Sequence, residues 1–429
     1  MTYLDAIHHL GSARRFGMKL GLEPMQALAA RLGNPQDGLR FIHLAGSNGK
    51  GSTAVFCESC LRAAGHRVGL YTSPHLVNIR ERIQINRQPI SEADFGKGMA
   101  TVVAAAEGEP TFFELMTALA LWYFAREKVD WVGWETGLGG RLDATNIVRP
   151  TVSVITTIAL EHTQYLGSTL KEIAREKAGI IKPGIPVVSG VEAGPAAEVI
   201  AETSRRLGAP LHEVAREIPA QNLGLRQGRQ FARLDGHDYE LGLIGNHQIS
   251  NAACALTTLR RLPEPPSAES IARGLASASW AGRFQIVSES PLTVLDGAHN
   301  TAAMEMLLET WCDFIASRGQ ADWRAHLVFG AVSDKDIGGM ARLLLPHIER
   351  VTLVKLSSER SANPADLVQH FPGVPCEFID SVSAWRPSGS QPVLVTGSLF
   401  LAGEMLAHLT GAKSDLHLNE RLATVPSSP

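Results

Sequence analysis

The sequence predicts an α/β protein in two parts: a larger unit with a mainly parallel sheet, then a smaller Rossmann-like α/β unit. Three observations carry this. Strand-like and helix-like segments alternate along most of the chain, the pattern of a parallel sheet with crossover helices. At 43–54 the sequence reads HLAGSNGKGSTA, a small-residue loop placed between a strand and a helix. The 429 residues exceed what one ordinary core accommodates.

Taken in order, RFIHLA is a strand, STAVFCESCLRAAG a helix and RVGLYTS the next strand. FFELMTALALWYFA at 112–125 is a helix, and VDWVGWE, TVSVITTIAL and IPVVSG are strands. Short β segments follow near 228–245, with Asp235–Gly236 as a hairpin turn. A helix begins near NHQISNAACALTTLRRL, followed by the proline-rich PEPPS. A second series starts around residue 286, with LTVLD, HLVFG, VTLVKL, CEFID and PVLVTGS as strands. These divisions give domains at 1–285 and 286–415, with a frayed tail over 416–429.

Charge and composition exclude several classes. The formal net charge is -3 and no basic block stands out, which disfavours nucleic acid as a partner. The N-terminal MTYLDAIHHLGSARRFG lacks the apolar core of a signal peptide, and 112–125 is too short to span a bilayer and carries Glu114. Five cysteines, an odd number, suggest no disulfide framework. Cys57 and Cys60 have CxxC spacing but no second pair, so ordinary helix packing is expected. The expectation is a cytoplasmic protein without membrane contact.

The loop carries the first chemistry. Gly46, Gly49 and Gly51 let backbone N–H groups converge on an anion, and the helix start adds its positive dipole end. Lys50 can neutralise phosphate, and Ser52 or Thr53 can face magnesium. The spacing is GxxGKGS rather than GxxxxGK[ST], because Leu44 stands where the first glycine would be. VDWVGWE ends in Glu135, at the strand edge where such sheets present a metal ligand. TVSVITTIAL is read as ending in Glu161–His162, placing an imidazole at that edge. In STLKEIAREKAGIIKPG, Thr169 and Glu172 have capping-box spacing. Lys177 falls on that helix's apolar stripe, so it either snorkels or has a task that offsets its desolvation. In the second unit Asp296 and His299 of LDGAHN form a plausible ligand-gripping pair, and Arg283 of WAGRFQ sits at the junction.

Together with YTSPHLVNIRERI, TFFE, ETGLGGRLDATN, EHTQYLG, REKAGIIK, GNHQISNA and GSLFLAGE, these motifs resemble the folylpolyglutamate synthase/dihydrofolate synthase family of the Mur-ligase superfamily over nearly the whole chain. The resemblance implies a P-loop-containing, Mur-ligase-like first domain and a glutamate-ligase second domain. It implies ATP binding by Ser47, Asn48, Gly49, Lys50, Gly51, Ser52, Asn251, Arg283 and Asp296, with His299 close by. Magnesium would be held by Ser73, Glu135 and His162. Thr111, Phe112, Phe113 and Glu114, with Leu142, Asp143 and Ala144, would line the site of the pterin-bearing substrate. Lys177 would be carbamylated by CO2, and Lys50, Lys177 and His299 would serve catalysis. Departures from the family pattern are Ala45 and Ser47 for threonines, Glu161 for aspartate and Thr301 for proline.

The implied reaction is ATP-dependent addition of L-glutamate to dihydropteroate and to reduced folates and their polyglutamates, through an acyl phosphate, by a monomer. Tail extension alone is the alternative. A cell-wall Mur ligase is disfavoured because only about 45 residues precede the loop. A non-ligase P-loop ATPase would leave LDGAHN and the Lys177 position without purpose.

Overall fold

The computed structural model describes residues 1–13, 21–320, 323–387 and 389–419, and its strands collect into three sheets. The first contains β1 (Phe41–Ala45), β2 (Val68–Tyr71), β3 (Ile83–Ile85), β4 (Gln88–Pro89), β5 (Trp131–Glu135), β6 (Val152–Ile155), β7 (Val187–Ser189) and β8 (Leu211–Glu213). Their spatial order is β4-β3-β2-β5-β1-β6-β7-β8. β1 lies between β5 and β6 and is parallel to both, while the β2–β3–β4 edge is antiparallel. Every residue of β1, β2, β5 and β6 is buried, as expected of a sheet covered on both faces.

The alternation of β1 sorts the two faces. Ile42 and Leu44 pack with Val55 and Phe56 of helix Lys50–Ala63 and Leu256 of helix Asn246–Leu259. Phe41 packs on the opposite side with Phe95, Leu119 and Trp134. Cys57, Cys60 and Cys254 are all buried in the first of these clusters, ordinary core residues as expected.

The second sheet is an antiparallel meander of β9 (Ala220–Arg226), β10 (Arg229–Leu234) and β11 (His237–Leu241). Its Asp235–Gly236 turn has φ of 50° and 77°, the positive pair that a two-residue hairpin of this hand requires. The third sheet contains β12 (Gln285–Glu289), β13 (Leu292–Leu295), β14 (Ala325–Phe329), β15 (Ile348–Val354), β16 (Cys376–Ile379) and β17 (Val393–Thr396), in the order β12-β13-β17-β14-β15-β16. All its pairs are parallel except β12–β13.

Three sequence readings need correction. The β3–β4 hairpin, β9 and the edge strands β8 and β12 are not among the expected strands; they are short or only partly buried, so their apolar signal is weak. TVSVITTIAL is a strand only to Ile155. Beyond it the chain turns onto the glycine loop, where Ser47 N–H donates to the Thr157 carbonyl (2.8 Å). Glu161 and His162 therefore follow a loop, and His162 precedes the short helix Thr163–Leu166 with φ 46°. The tail expected to fray from 416 begins with the turn Leu416–Asn419, in which Leu416 and Leu418 are buried. Residues 420–429 lie outside the described residues.

The two larger sheets are joined through the loop after β2. Leu76 and Val77 enter a core cluster with Leu295, Val395, Leu401 and Leu416. A Cβ on Gly403 would sit 1.9 Å from the Leu76 carbonyl oxygen, so only glycine admits this approach. Asp415 N–H donates to the Val77 carbonyl (2.8 Å), and Tyr3 Oη donates to Asp415 Oδ2 (2.8 Å). Arg82 Nε donates to His75 Nδ1 (2.9 Å), leaving His75 Nε2–H to donate to the Asp415 carbonyl (3.2 Å). Leu76→Ala should cost about 2–5 kcal/mol of stability in urea denaturation. An unchanged midpoint would show that this junction carries no stability.

Candidate active site

Two glycines bring the phosphate loop close to its neighbours. A Cβ on Gly46 would lie 1.9 Å from Thr156 Oγ1, and one on Gly49, whose φ is 84°, would lie 2.3 Å from Asn251 Oδ1. Asn251 is thereby set against the loop, with its Nδ2 donating to Gln248 Oε1 (3.0 Å). The Ser47 hydroxyl accepts from Ala159 N–H (2.9 Å). Asn48 N–H donates to Thr157 Oγ1 (3.0 Å), and its carbonyl accepts from Thr156 Oγ1 (2.6 Å). The helix starting at Lys50, with Gly51 and Ser52 in its first turn, leaves N–H groups without helical acceptors, which suits phosphate.

Two lysines converge on one carbonyl of this loop. Lys50 Nζ donates to the Gly46 oxygen (2.8 Å), and so does Lys177 Nζ (2.9 Å). Lys177 is only 2% exposed, and its helix Leu170–Ala178 starts with the expected Thr169–Glu172 capping box. Burial, followed by repulsion from Lys50, pushes its pKa down to about 8. Glu161 Oε1 accepts from Lys177 Nζ at 2.8 Å, so the ammonium is compensated where it stands. Glu161 itself is held below the usual carboxylate range: burial opposes ionisation, but Lys177 and Lys50 more than offset it. The sequence pointed to Lys177 but treated Glu161 only as a departure. Its partnership is made by the loop after β6, which strand periodicity does not describe.

Glu135 ends β5 beside β1, and its carboxylate is 4.0 Å from Lys50 Nζ. Burial raises its pKa against the charges of Lys50 and Arg283 and a bond from Ser73 N–H (3.1 Å). Burial stabilises the neutral acid, so a nearby cation would favour its ionised form. The Ser73 hydroxyl makes no hydrogen bond to a described residue. A hydroxyl and a carboxylate are hard oxygen donors of the kind that suits magnesium completed by phosphate and water, whereas an imidazole is a softer ligand. Among the described residues no group of three His, Cys, Asp or Glu side chains is arranged to hold a metal.

The second domain contributes at the junction. Asp296 follows β13 and accepts from the N–H groups of Phe284 and Ala298, both at 2.8 Å, with Arg283 as its nearby charge. Both carboxylate oxygens therefore brace the junction backbone next to Arg283, and burial still raises the acid's pKa. His299 Nδ1–H donates to the Gly297 carbonyl (2.9 Å), which fixes the orientation of the ring beside the junction.

The proposed substrate segments divide into structural and presenting residues. Thr111 and Glu114 form a reciprocal cap on helix Phe112–Arg126, at 2.7 and 3.2 Å. Phe112 and Phe113 are half-buried; Arg82 lies over the Phe112 ring at 5.3 Å, and Gly137 leaves room for Phe113. Asp143 folds its own loop, accepting from Gly137 N–H (3.0 Å), Leu138 N–H (2.8 Å) and Thr145 N–H (3.0 Å). It lies between half-buried Leu142 and buried Ala144.

The Mur ligase middle domain family matches residues 44–259, and the Mur ligase glutamate ligase domain matches 282–398. The chain is 37% identical over 437 residues to the dihydrofolate synthase/folylpolyglutamate synthase of Bacillus subtilis, covering 95% of this chain and 99% of that one. The chain belongs to the folylpolyglutamate synthase/dihydrofolate synthase family of Mur ligases. As a member of that family it is an ATP-dependent ligase. Escherichia coli FolC in complex with DHPP and ADP superposes on this Mur ligase with a TM-score of 0.83 at 33% identity, covering 96% of this chain and 98% of that one. The bifunctional folylpolyglutamate synthase/dihydrofolate synthase of Yersinia pestis, complexed with AMPPNP and a Mn ion, gives a TM-score of 0.82 at 35% identity, with coverage of 96% and 98%.

The lowered pKa of Lys177 gives this Mur ligase a measurable pH signature. Between about 8 and the ordinary lysine value of 10.5, the unfolded chain holds a proton there that the folded chain has released. Stability rises with pH wherever the unfolded state binds more protons. The wild type should therefore gain stability relative to Lys177→Met as pH rises through that window, and show a constant difference just below it. A wild-type-minus-variant difference that stays flat across the window would contradict the assignment.

Proposed function

We propose that this Mur ligase joins the amine of L-glutamate to the carboxylate of dihydropteroate and of reduced folates and their polyglutamates. The supporting observation is a meeting of charges: Lys50 of the phosphate loop and Arg283 of the junction both act on Glu135. A site of this kind handles a triphosphate and a carboxylate together.

A free carboxylate is a poor acyl donor because its leaving group would be oxide. In the proposed first step a carboxylate oxygen bonds to the γ-phosphorus of ATP as the bond to the β-phosphate oxygen breaks, releasing ADP. The glutamate amine then attacks the acyl carbon, the carbon–nitrogen bond forms, phosphate leaves and the amine loses a proton. Lys50 and Arg283 balance charge on the transferring phosphoryl group, a task of electrostatics and positioning. The first-turn N–H groups at Lys50, Gly51 and Ser52 hold the phosphates, and Asn251 holds the loop from the side. Ser73, Glu135 and His162 are the proposed magnesium ligands; the metal would neutralise phosphate charge. The apolar junction through Leu76 and Val77 keeps the domains together, which supports exclusion of water from the acyl phosphate.

Lys177 is the proposed site of carbamylation. Its lowered pKa supplies the free amine that adds CO2, although the modified group would have to turn away from Glu161, which now accepts from its Nζ. Thr111 to Glu114 and Leu142 to Ala144 form the proposed pterin wall, with Phe112 and Phe113 as its aromatic face, and His299 stands by the phosphates. We place the protein in the cytoplasm as a monomer acting on small molecules and not on nucleic acid. No described helix is long and apolar enough to cross a membrane. The larger domain is assigned 1–285 and the smaller 286–415.

Phosphate release from ATP should require both L-glutamate and a pterin carboxylate, with dihydropteroate and tetrahydrofolate each active and their products heavier by glutamyl units. Stripping CO2 from the buffers should lower the rate, with bicarbonate restoring it in the wild type but not in Lys177→Ala. Activity with tetrahydrofolate alone would confine the enzyme to tail extension. Release indifferent to every pterin would overturn the ligase reading.

A further inference from the structure

His43 lies in the middle of β1, three residues before Gly46, where an aliphatic residue would satisfy the sheet. It is fully buried, and burial pushes its pKa down to about 3, with Lys182 as the charge that adds to the effect. The ring is therefore neutral and carries one N–H. His43 Nε2 lies 3.1 Å from Thr145 Oγ1, while Nδ1 is buried without a partner. An imidazole that satisfies only one of its nitrogens is a costly choice for a core position.

The hydrogen-bond order follows from Asp143. Thr145 Oγ1 donates to Asp143 Oδ1 (2.5 Å), which uses the hydroxyl's only proton. Toward His43 the hydroxyl can then only accept, so Nε2 carries the proton and Nδ1 is bare. Asp143 Oδ2 in turn accepts from Gly137 N–H and Leu138 N–H. A single buried chain thus runs from the strand that feeds the phosphate loop, through Thr145, to the loop that carries Leu142 and Ala144.

We propose that His43 is a positioning residue for the pterin-bearing substrate, acting through Thr145 and Asp143 to hold the Gly137–Ala144 loop in its binding shape. This rests on the substrate reading given above for that loop. Donation from Nε2 fixes the rotation of the Thr145 hydroxyl, so that its proton is always delivered to Asp143. The carboxylate is then locked across the two N–H groups at the start of the loop.

The test compares His43→Leu, which removes the donor, with His43→Gln, whose amide nitrogen can occupy the position of Nε2, and with Thr145→Val. Steady-state constants are read beside pterin binding by fluorescence and the melting temperature. His43→Leu and Thr145→Val should each raise KM and Kd for the pterin about tenfold, with KM for ATP and kcat changed less than about twofold. His43→Gln should restore most of the pterin affinity, and the double variant His43→Leu/Thr145→Val should be no worse than either single one, because the three groups act in one chain. If His43→Leu does not fold, Thr145→Val and His43→Gln still decide the matter. Unchanged pterin affinity in a folded Thr145→Val, an equal rise in KM for ATP, or failure of His43→Gln to exceed Thr145→Val in pterin affinity overturns the proposal. A wild type that turns over ATP without any pterin requirement overturns the ligase reading instead, and pterin binding by fluorescence separates the two failures.

Discussion

Two ammonium groups share one carbonyl oxygen at the heart of this molecule. Lys50 and Lys177 both donate to Gly46, and their mutual repulsion is tolerated because two carboxylates stand beside them. Glu161 takes Lys177 directly, and Glu135 faces Lys50 at 4.0 Å. The arrangement depends on β1 being central in its sheet, because β5 and β6 on either side deliver Glu135 and the loop to Glu161. Incoming phosphate would compete for Lys50, which also reaches the Ser47 carbonyl at 3.4 Å, and would thereby relieve its repulsion with Lys177. Nucleotide bound at Lys50 would for that reason be coupled to the charge state of Lys177.

The second domain completes the charge balance. Asp296 fixes the backbone that carries Arg283, and Arg283 acts on Glu135 across the junction. The loop that carries Ser73 is anchored a few residues later by Leu76 and Val77 in the core of the smaller domain. A change in the packing between the domains therefore reaches Ser73, and through its N–H Glu135, by a short segment of chain.

Much of this was legible in the sequence, for reasons that differ by residue. β1, β5 and β6 are buried on both faces and read as mainly apolar runs. Gly46 and Gly49 are needed where Thr156 and Asn251 approach, so the loop announces itself by composition. Lys177 stood out because a charge on an apolar stripe demands compensation. What supplies that compensation was not legible: Glu161 arrives from a loop that the sequence presented as strand. Asp143, Thr111 and Glu114 were assigned to the substrate wall, yet their polar atoms are largely committed to holding the local backbone. His43 was hidden for the opposite reason, since a lone histidine inside a strand pattern carries no periodic signal, and its partner is 102 residues away.

In the proposed reaction this charge arrangement activates a carboxylate through its phosphorylation. The direct measurement is oxygen transfer from a pterin substrate whose reacting carboxylate is labelled with oxygen-18. Passage through an acyl phosphate predicts one labelled oxygen in each inorganic phosphate released, in step with amide formation. Unlabelled phosphate, with amide still forming, would contradict it.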